Sequence, residues 1–241
     1  VGKSFEELDY RVTPIGALSL RRRIEPKTLQ EVYEIKLGEE FLMSSLFTAS
    51  EEALANLALA ELVAENPDNR NLDVVVGGLG LGYTARSVLQ HENVGSLVVV
   101  DALEAVIDWH QSAVLPLGLT LTGDPRCEFQ QADFFAMATS EDGFGKKLDA
   151  LLVDIDHSPE FHLNEANAYF YRPDGLAKMA RHLNPGGIFA LWSDALPDET
   201  FCECLRGVFA KVWVEPVTFF NPLMERDFTQ SVYLAMEPRQ Q

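Results

Sequence analysis

The chain has 241 residues, 47% of them hydrophobic and 23% charged, and a formal net charge of −18 from 19 basic and 37 acidic side chains. This balance excludes general disorder and allows one large buried core. No apolar run approaches the roughly 18 residues that span a bilayer, and the acidic surplus repels nucleic-acid backbones and anionic membranes while attracting polycations.

No basic segment followed by an apolar stretch is present, so no secretory signal is expected. Cys127, Cys202 and Cys204 lack framework spacing and read as free thiols of a reducing, cytoplasmic compartment. The front of the chain reads as strands. Residues 12–24 form one β run ending in Arg21-Arg22-Arg23, residues 32–37 alternate apolar and polar, and Gly38-Glu39 turns them into Phe41-Leu42-Met43 as a hairpin. Thr48-Ala49-Ser50-Glu51 has the spacing of a capping box and opens an Ala/Leu-rich helix that stops before Pro67. The polar stretch 67–71 marks a boundary. Residues 1–66 are thus expected to form an N-terminal β-hairpin region with a connecting helix, and 67–241 a Rossmann-like domain. Hairpin strands this few leave an unpaired edge, which predicts a homodimer through the front region.

From residue 72 onward, buried-strand runs at 72–76, 97–100, 148–153 and 188–192 alternate with helical stretches at 84–90, 103–115 and 175–182. The alternation predicts an α/β fold with a doubly wound, mostly parallel sheet and right-handed crossovers. Asn184-Pro185-Gly186-Gly187 stops the last of these helices, and residues 211–219 and 231–236 read as a closing hairpin whose final strand is antiparallel. His91, His110 and His182 are expected on partly exposed helix faces and Trp109 in the core.

Chemistry-bearing residues gather at the carboxyl ends of these strands, where open α/β sheets bind ligands. The first strand runs into Gly77-Gly78-Leu79-Gly80-Leu81-Gly82, and a helix follows. Glycine there permits a tight turn and close approach of a ligand. Gly78, Gly80 and Gly82 are spaced Gly-x-Gly-x-Gly rather than Gly-x-Gly-x-x-Gly, which favours an S-adenosyl ligand over a dinucleotide needing a helix end for its pyrophosphate. The second strand ends in Asp101, placed to take ribose hydroxyls, a further strand at 127–132 ends in Asp133, near an adenine edge, and the strand at 148–153 ends in Asp154-Ile155-Asp156-His157.

These segments, together with Asp124-Pro125-Arg126 and the stranded front, resemble the spermidine synthase (polyamine aminopropyltransferase) family, which has a methyltransferase-like fold. The resemblance implies that Asp101 holds the ribose, Asp133 lies at the adenine and Asp154 is the acid at the reacting amine. The chain departs from the family's loop, similar to Gly-Gly-Gly-Asp-Gly-Gly, whose Asp is expected at Leu81. The family's Asp-Ser-Ser-Asp-Pro segment is Asp154-Ile155-Asp156-His157-Ser158 here. Its Tyr-His pair falls near Ala55-Asn56, and its polyamine-side Gln near Ser44.

Asp154 and Asp156 are the candidate catalytic acids, since two close carboxylates raise one another's affinity for a proton. No metal is expected and no permanently bound cofactor; S-adenosylmethionine or its decarboxylated form is the expected co-substrate. Three readings stay open: aminopropyl transfer to an amine, S-adenosylmethionine-dependent methyl transfer, and nucleoside binding without catalysis.

Overall fold

A computed structural model describes residues 4–239. Two sheets and seven α-helices are present among them. The front sheet is an antiparallel meander of β1 (Phe5–Thr13), β2 (Gly16–Ile24), β3 (Glu31–Leu37) and β4 (Glu40–Ser44). The expected single run over 12–24 is in fact two strands. Pro14 and Ile15 turn the chain, Thr13 pairs with Gly16, and Gly16 takes a φ of +135° that disfavours other residues. Arg22 binds Glu6 and Glu31, Arg23 binds Glu25 and Glu34, and Arg21 lies over the Phe5 ring, so two of the three arginines of this run are paired with nearby acids.

The large sheet contains β5 (Leu72–Gly77), β6 (Val94–Asp101), β7 (Cys127–Gln131), β8 (Leu148–Val153), β9 (Leu183–Ser193), β10 (Phe209–Asn221) and β11 (Arg226–Pro238). Their order is β10-β11-β9-β8-β5-β6-β7. β11 pairs antiparallel with both neighbours and, among the described residues, is the strand that runs against the rest, as the closing hairpin predicts. The continuous apolar runs follow from burial on both faces. In β5, Val74 and Val76 enter one apolar cluster and Val75 the other; in β8, Ala150 and Leu152 face one side and Leu151 and Val153 the opposite side.

Helices α2 (Tyr83–Leu89), α3 (Glu104–Gln111), α4 (Gly118–Gly123), α5 (Phe134–Thr139), α6 (Pro173–Ala180) and α7 (Glu199–Val208) complete the layers. The helix expected to reach residue 115 ends at Gln111, because Ala113 turns the chain with a φ of +56°. Residues 184–187 are not a plain helix stop. They bulge from β9, whose Leu183 and Ile188 pair with Leu148 and Ala150 of β8. His110 and His182 are buried rather than partly exposed, and Trp109 is in the core as expected. Among the described residues, no helix is long and apolar enough to cross a membrane.

Helix α1 (Ala49–Glu65), expected to go with the front region, packs on the large sheet instead. Trp192 of β9 donates its Nε1–H to Ser50 Oγ at 2.9 Å, and Arg86 of α2 binds Glu52 at 2.7 Å. Leu18, Leu20 and Ile35 of the front sheet join the same apolar cluster as Leu54 and Leu59 of α1. One apolar cluster thus runs from the front sheet through α1 to the large sheet.

Candidate functional site

The order of the large sheet reverses between β5 and β8, and the crevice above their carboxyl ends is the place where such sheets bind ligands. A cavity opens there, with room for the centre of a water molecule throughout about 210 Å³. Gly78, Asp101, Asp133, Phe134 and Asp154 come to it from the large sheet, and Ile15, Ile35, Leu42 and Met43 from the front sheet. It also receives Glu51 from α1, Trp192 from β9, and His157 and Asn167 from the segment after β8.

The glycine loop is shaped by close packing. Gly78 has a φ of +96°, and a Cβ there would lie 2.0 Å from the carbonyl oxygen of Asp154, so neighbouring strand tips approach closely only with glycine at this position. Gly80 reaches the cavity, while Gly82, expected beside the nucleoside, does not line it; a Cβ on Gly82 would strike Leu121 and His110. His110 braces the loop, its Nε2–H donating to the Gly80 carbonyl at 3.0 Å. Burial holds this imidazole below its ordinary pKa, which favours the neutral donor.

Leu81 is not the loop position that meets the cavity. It is 2% exposed, inside the apolar cluster, and its N–H donates to Met43 Sδ at 3.0 Å. Counted residue for residue, the fourth place of Gly77-Gly78-Leu79-Gly80-Leu81-Gly82 is Gly80, and a Cβ there would meet the end of the Met43 side chain, with Sδ at 2.7 Å. The departure expected at Leu81 therefore belongs at Gly80.

Asp101 lies at the tip of β6, and its carboxylate accepts N–H bonds from Leu79 at 2.9 Å and Leu103 at 2.8 Å. Burial raises its pKa, and these donors oppose the rise. The side chain thus ties the glycine loop to the start of α3 while facing the cavity. Asp133 also lines the cavity, and it caps α5 by accepting from the Ala136 N–H at 3.0 Å.

The two acids expected to act together are separated. Asp154 faces the cavity and accepts from Thr84 Oγ1 at 2.7 Å. Asp156, 2% exposed, is outside the lining and turned into the protein. Its oxygens accept from the Leu163 N–H at 2.7 Å, Asn167 Nδ2 at 3.0 Å and Tyr171 Oη at 2.9 Å. A carboxylate so engaged anchors the segment after β8 and does not share the cavity with Asp154.

The acid that does accompany Asp154 is Glu51, which the capping-box pattern concealed. Thr48 makes no cap bond and gives its hydroxyl to Glu52 at 2.8 Å, leaving Glu51 to point inward at 8% exposure. Burial, and then the neighbouring Asp154, push the Glu51 carboxyl up to about 7. Burial pushes Asp154 up to about 6 against the opposing Thr84 hydrogen bond. At the rim, His157 contacts Glu40 of the front sheet at 2.9 Å. Among the described residues that line the cavity, the carboxylates of Glu51, Asp101, Asp133 and Asp154 are present and no lysine or arginine is. Such a lining suits a ligand that is positively charged and partly apolar.

The sequence profile of the spermine/spermidine synthase domain matches residues 48–203. Polyamine aminopropyltransferase 2 of Pseudomonas aeruginosa is 28% identical over 158 residues, which cover 58% of this chain and 40% of that protein. Polyamine aminopropyltransferase of Pyrobaculum aerophilum is 28% identical over 119 residues, covering 49% of this chain and 40% of that protein. The chain thus spans about 40% of the length of these relatives. The crystal structure of a spermidine synthase in complex with the transition-state analogue AdoDATO superposes with a TM-score of 0.70 at 17% identity, over 95% of this chain and 73% of that one. Human methyltransferase-like protein 13 in complex with SAH gives 0.58 at 19% identity, over 80% and 84%. Both structural likenesses concern the fold.

Proposed function

We propose that this chain, which belongs to the spermine/spermidine synthase family, is a transferase that moves an aminopropyl group from decarboxylated S-adenosylmethionine to an amine. The observation that carries this reading is the lining of the cavity: four carboxylates with no lysine or arginine among the described residues, at the crevice of a nucleoside-binding type of sheet. The decarboxylated nucleoside carries a sulfonium and an ammonium and suits this lining. A carboxylated one brings an anion with no cationic side chain to meet it.

In this reading Asp101 and Asp133 hold the nucleoside, and Asp154 faces the reacting amine. An amine of ordinary pKa, about 10, is neutral in roughly one molecule in a thousand at pH 7, so deprotonation costs about 4 kcal/mol. A carboxylate with a raised pKa is suited to accept that proton. The amine lone pair then forms the new C–N bond as the C–S bond breaks. Its electrons stay on sulfur, and a neutral thioether nucleoside leaves. Alignment of the two reactants supplies much of the remaining acceleration.

Methyl transfer from S-adenosylmethionine is the second reading. It is favoured by Gly80, which puts no acid at the loop position facing the cavity. Calorimetry with both sulfonium nucleosides and methylthioadenosine separates the readings, followed by mass analysis of products from a panel of amines. A tighter grip on decarboxylated S-adenosylmethionine and a product heavier by one aminopropyl group support the first; methylated product overturns it. β1 is an edge strand of the front sheet, with no further strand on its outer side among the described residues, and its Phe5, Tyr10 and Val12 are exposed, which supports a homodimer through that sheet. Sedimentation at micromolar concentration tests this.

A further inference from the structure

Glu51 and Asp154 reach the same part of the cavity from different directions, Glu51 from the first turn of α1 and Asp154 from the tip of β8. Thr84 lies between them. Its hydroxyl bonds Asp154 Oδ2 at 2.7 Å and lies 3.4 Å from the Glu51 carbonyl oxygen. The charged groups around them do not neutralise the pair. Arg86, the cation of the adjoining helix, is bound to Glu52 and lies over the Tyr83 ring. His157 is bound to Glu40, and Asp101 and Asp133 add further negative charge to the same lining.

The hydrogen-bond count at Ser50 leaves a place for a proton on Glu51. Ser50 Oγ receives the Trp192 N–H and has a single hydrogen of its own, yet it contacts two acceptors, Gln230 Oε1 and Glu51 Oε2. Either a proton on Glu51 or a turned Gln230 amide satisfies the count. Glu51 is buried and Asp154 half-buried, and two such acids with no cation beside them favour the proton. The raised values of both carboxyls point the same way.

We propose that Glu51 and Asp154 form a cation-binding pair that holds one proton in the ligand-free cavity and exchanges it for the positive group, sulfonium or primary ammonium, of an entering ligand. This rests on the nucleoside-binding reading and goes beyond it, because it assigns a ligand-binding role to Glu51 and makes binding proton-linked. The exchange balances: the proton leaves to the buffer, the positive group of the ligand takes its place, and the net charge of the pocket with its contents is unchanged.

Calorimetry at pH 6.5 in two buffers of different ionisation heat counts the protons. Decarboxylated S-adenosylmethionine should release roughly one proton per molecule bound, and the neutral thioether methylthioadenosine none. Glu51→Gln should abolish most of the release and lower affinity for the cationic nucleoside about tenfold, with methylthioadenosine binding kept within about threefold. In the ligand-free protein, carbon-13 carboxyl spectra should show Glu51 titrating above the ordinary range and returning toward it in Asp154→Asn. Binding of the cationic nucleoside without proton release, or an ordinary titration of Glu51, overturns the proposal and leaves the nucleoside-binding reading standing. If methylthioadenosine fails to bind, that reading fails, while the carboxyl spectra still decide whether the pair holds a proton.

Discussion

The two halves of the cavity are built by different means. The half proposed to hold the nucleoside is made of consecutive strand tips, each delivered by the same βα repeat to the same edge: Gly78, Asp101 and Asp133, with Asp154 at its border. The opposite half is assembled from side chains distant in sequence: Met43 from a hairpin, Glu51 from a helix, His157 from a loop and Trp192 from the middle of the sheet. The first half is specified by topology and tolerates little variation, because Gly78 and Asp101 also hold the loop together. The second half is specified by packing between elements distant in the chain, as in the contacts of Met43 with the glycine loop and of Trp192 with Ser50.

Asp154 stands where the halves meet, and its replacement should have the largest effect. Asp154→Asn keeps the shape and the Thr84 contact but removes a proton acceptor, so turnover should fall roughly 10²–10⁴-fold with affinity for the neutral methylthioadenosine nearly unchanged. Steady-state rates set beside calorimetry measure the split. Equal losses in rate and affinity would move Asp154 into the nucleoside half. Asp101→Ala should act on that half alone. It removes a charged acceptor worth about 1.5–3 kcal/mol and frees the N–H groups of Leu79 and Leu103. Methylthioadenosine affinity should fall roughly 10–100-fold, and unchanged binding by calorimetry would remove Asp101 from the site.

The same division explains what the sequence disclosed. Continuous apolar runs ending in Gly or Asp are local signals, and they pointed to the sheet, the glycine loop, Asp101 and Asp154, whereas Asp133 follows the mostly polar strand β7. Glu51 gave a misleading local signal: Thr48-Ala49-Ser50-Glu51 has capping-box spacing, but the acid turns toward Asp154 because α1 packs on the large sheet. Asp156 misled in the other direction. Two acids separated by one residue look paired, yet beyond the strand tip the second turns inward to Asn167 and Tyr171. The hairpin hidden in residues 12–24 had Pro14 and Gly16 as its turn signal.

The loop gives a sharper contrast between neighbouring residues. Gly80→Asp introduces an acid where a φ of +46° is among those that Asp tolerates, and where the Cβ meets the flexible end of Met43. Two like charges about 4 Å apart at an effective dielectric near 20 repel by about 4 kcal/mol. Solvent and the crowding of acids reduce this, so preference for the decarboxylated over the carboxylated nucleoside should rise about tenfold by competition binding. Leu81→Asp should produce no such switch. It buries an unpaired carboxylate in the apolar core, at a cost of several kcal/mol, and thermal melting should show an unstable protein. A specificity switch at Leu81 with a stable fold would put that residue in the cavity.

The smallest expected effect tests the pairing of Glu51 with Asp154 through folding alone, without any ligand. Both carboxyls titrate above their ordinary values, near 7 for Glu51 and near 6 for Asp154. Between the unfolded values, about 4, and these raised ones, the folded protein holds more protons than the unfolded chain. Stability contributed by the protonated pair is therefore present at low pH and lost as pH rises across that window. At pH 8 the folded state holds two unneutralised buried carboxylates, and Glu51→Gln removes one of them while keeping the shape. The variant should then be more stable than the wild type by about 2 kcal/mol, a rise of about 4–8 °C in Tm. Near pH 4 the wild-type Glu51 is already protonated when folded and largely protonated when unfolded, so the two proteins should melt together. Melting curves at the two pH values decide the matter. A gain of equal size at both would trace to packing, and a loss at pH 8 would mean that a cation neutralises Glu51 in the folded protein.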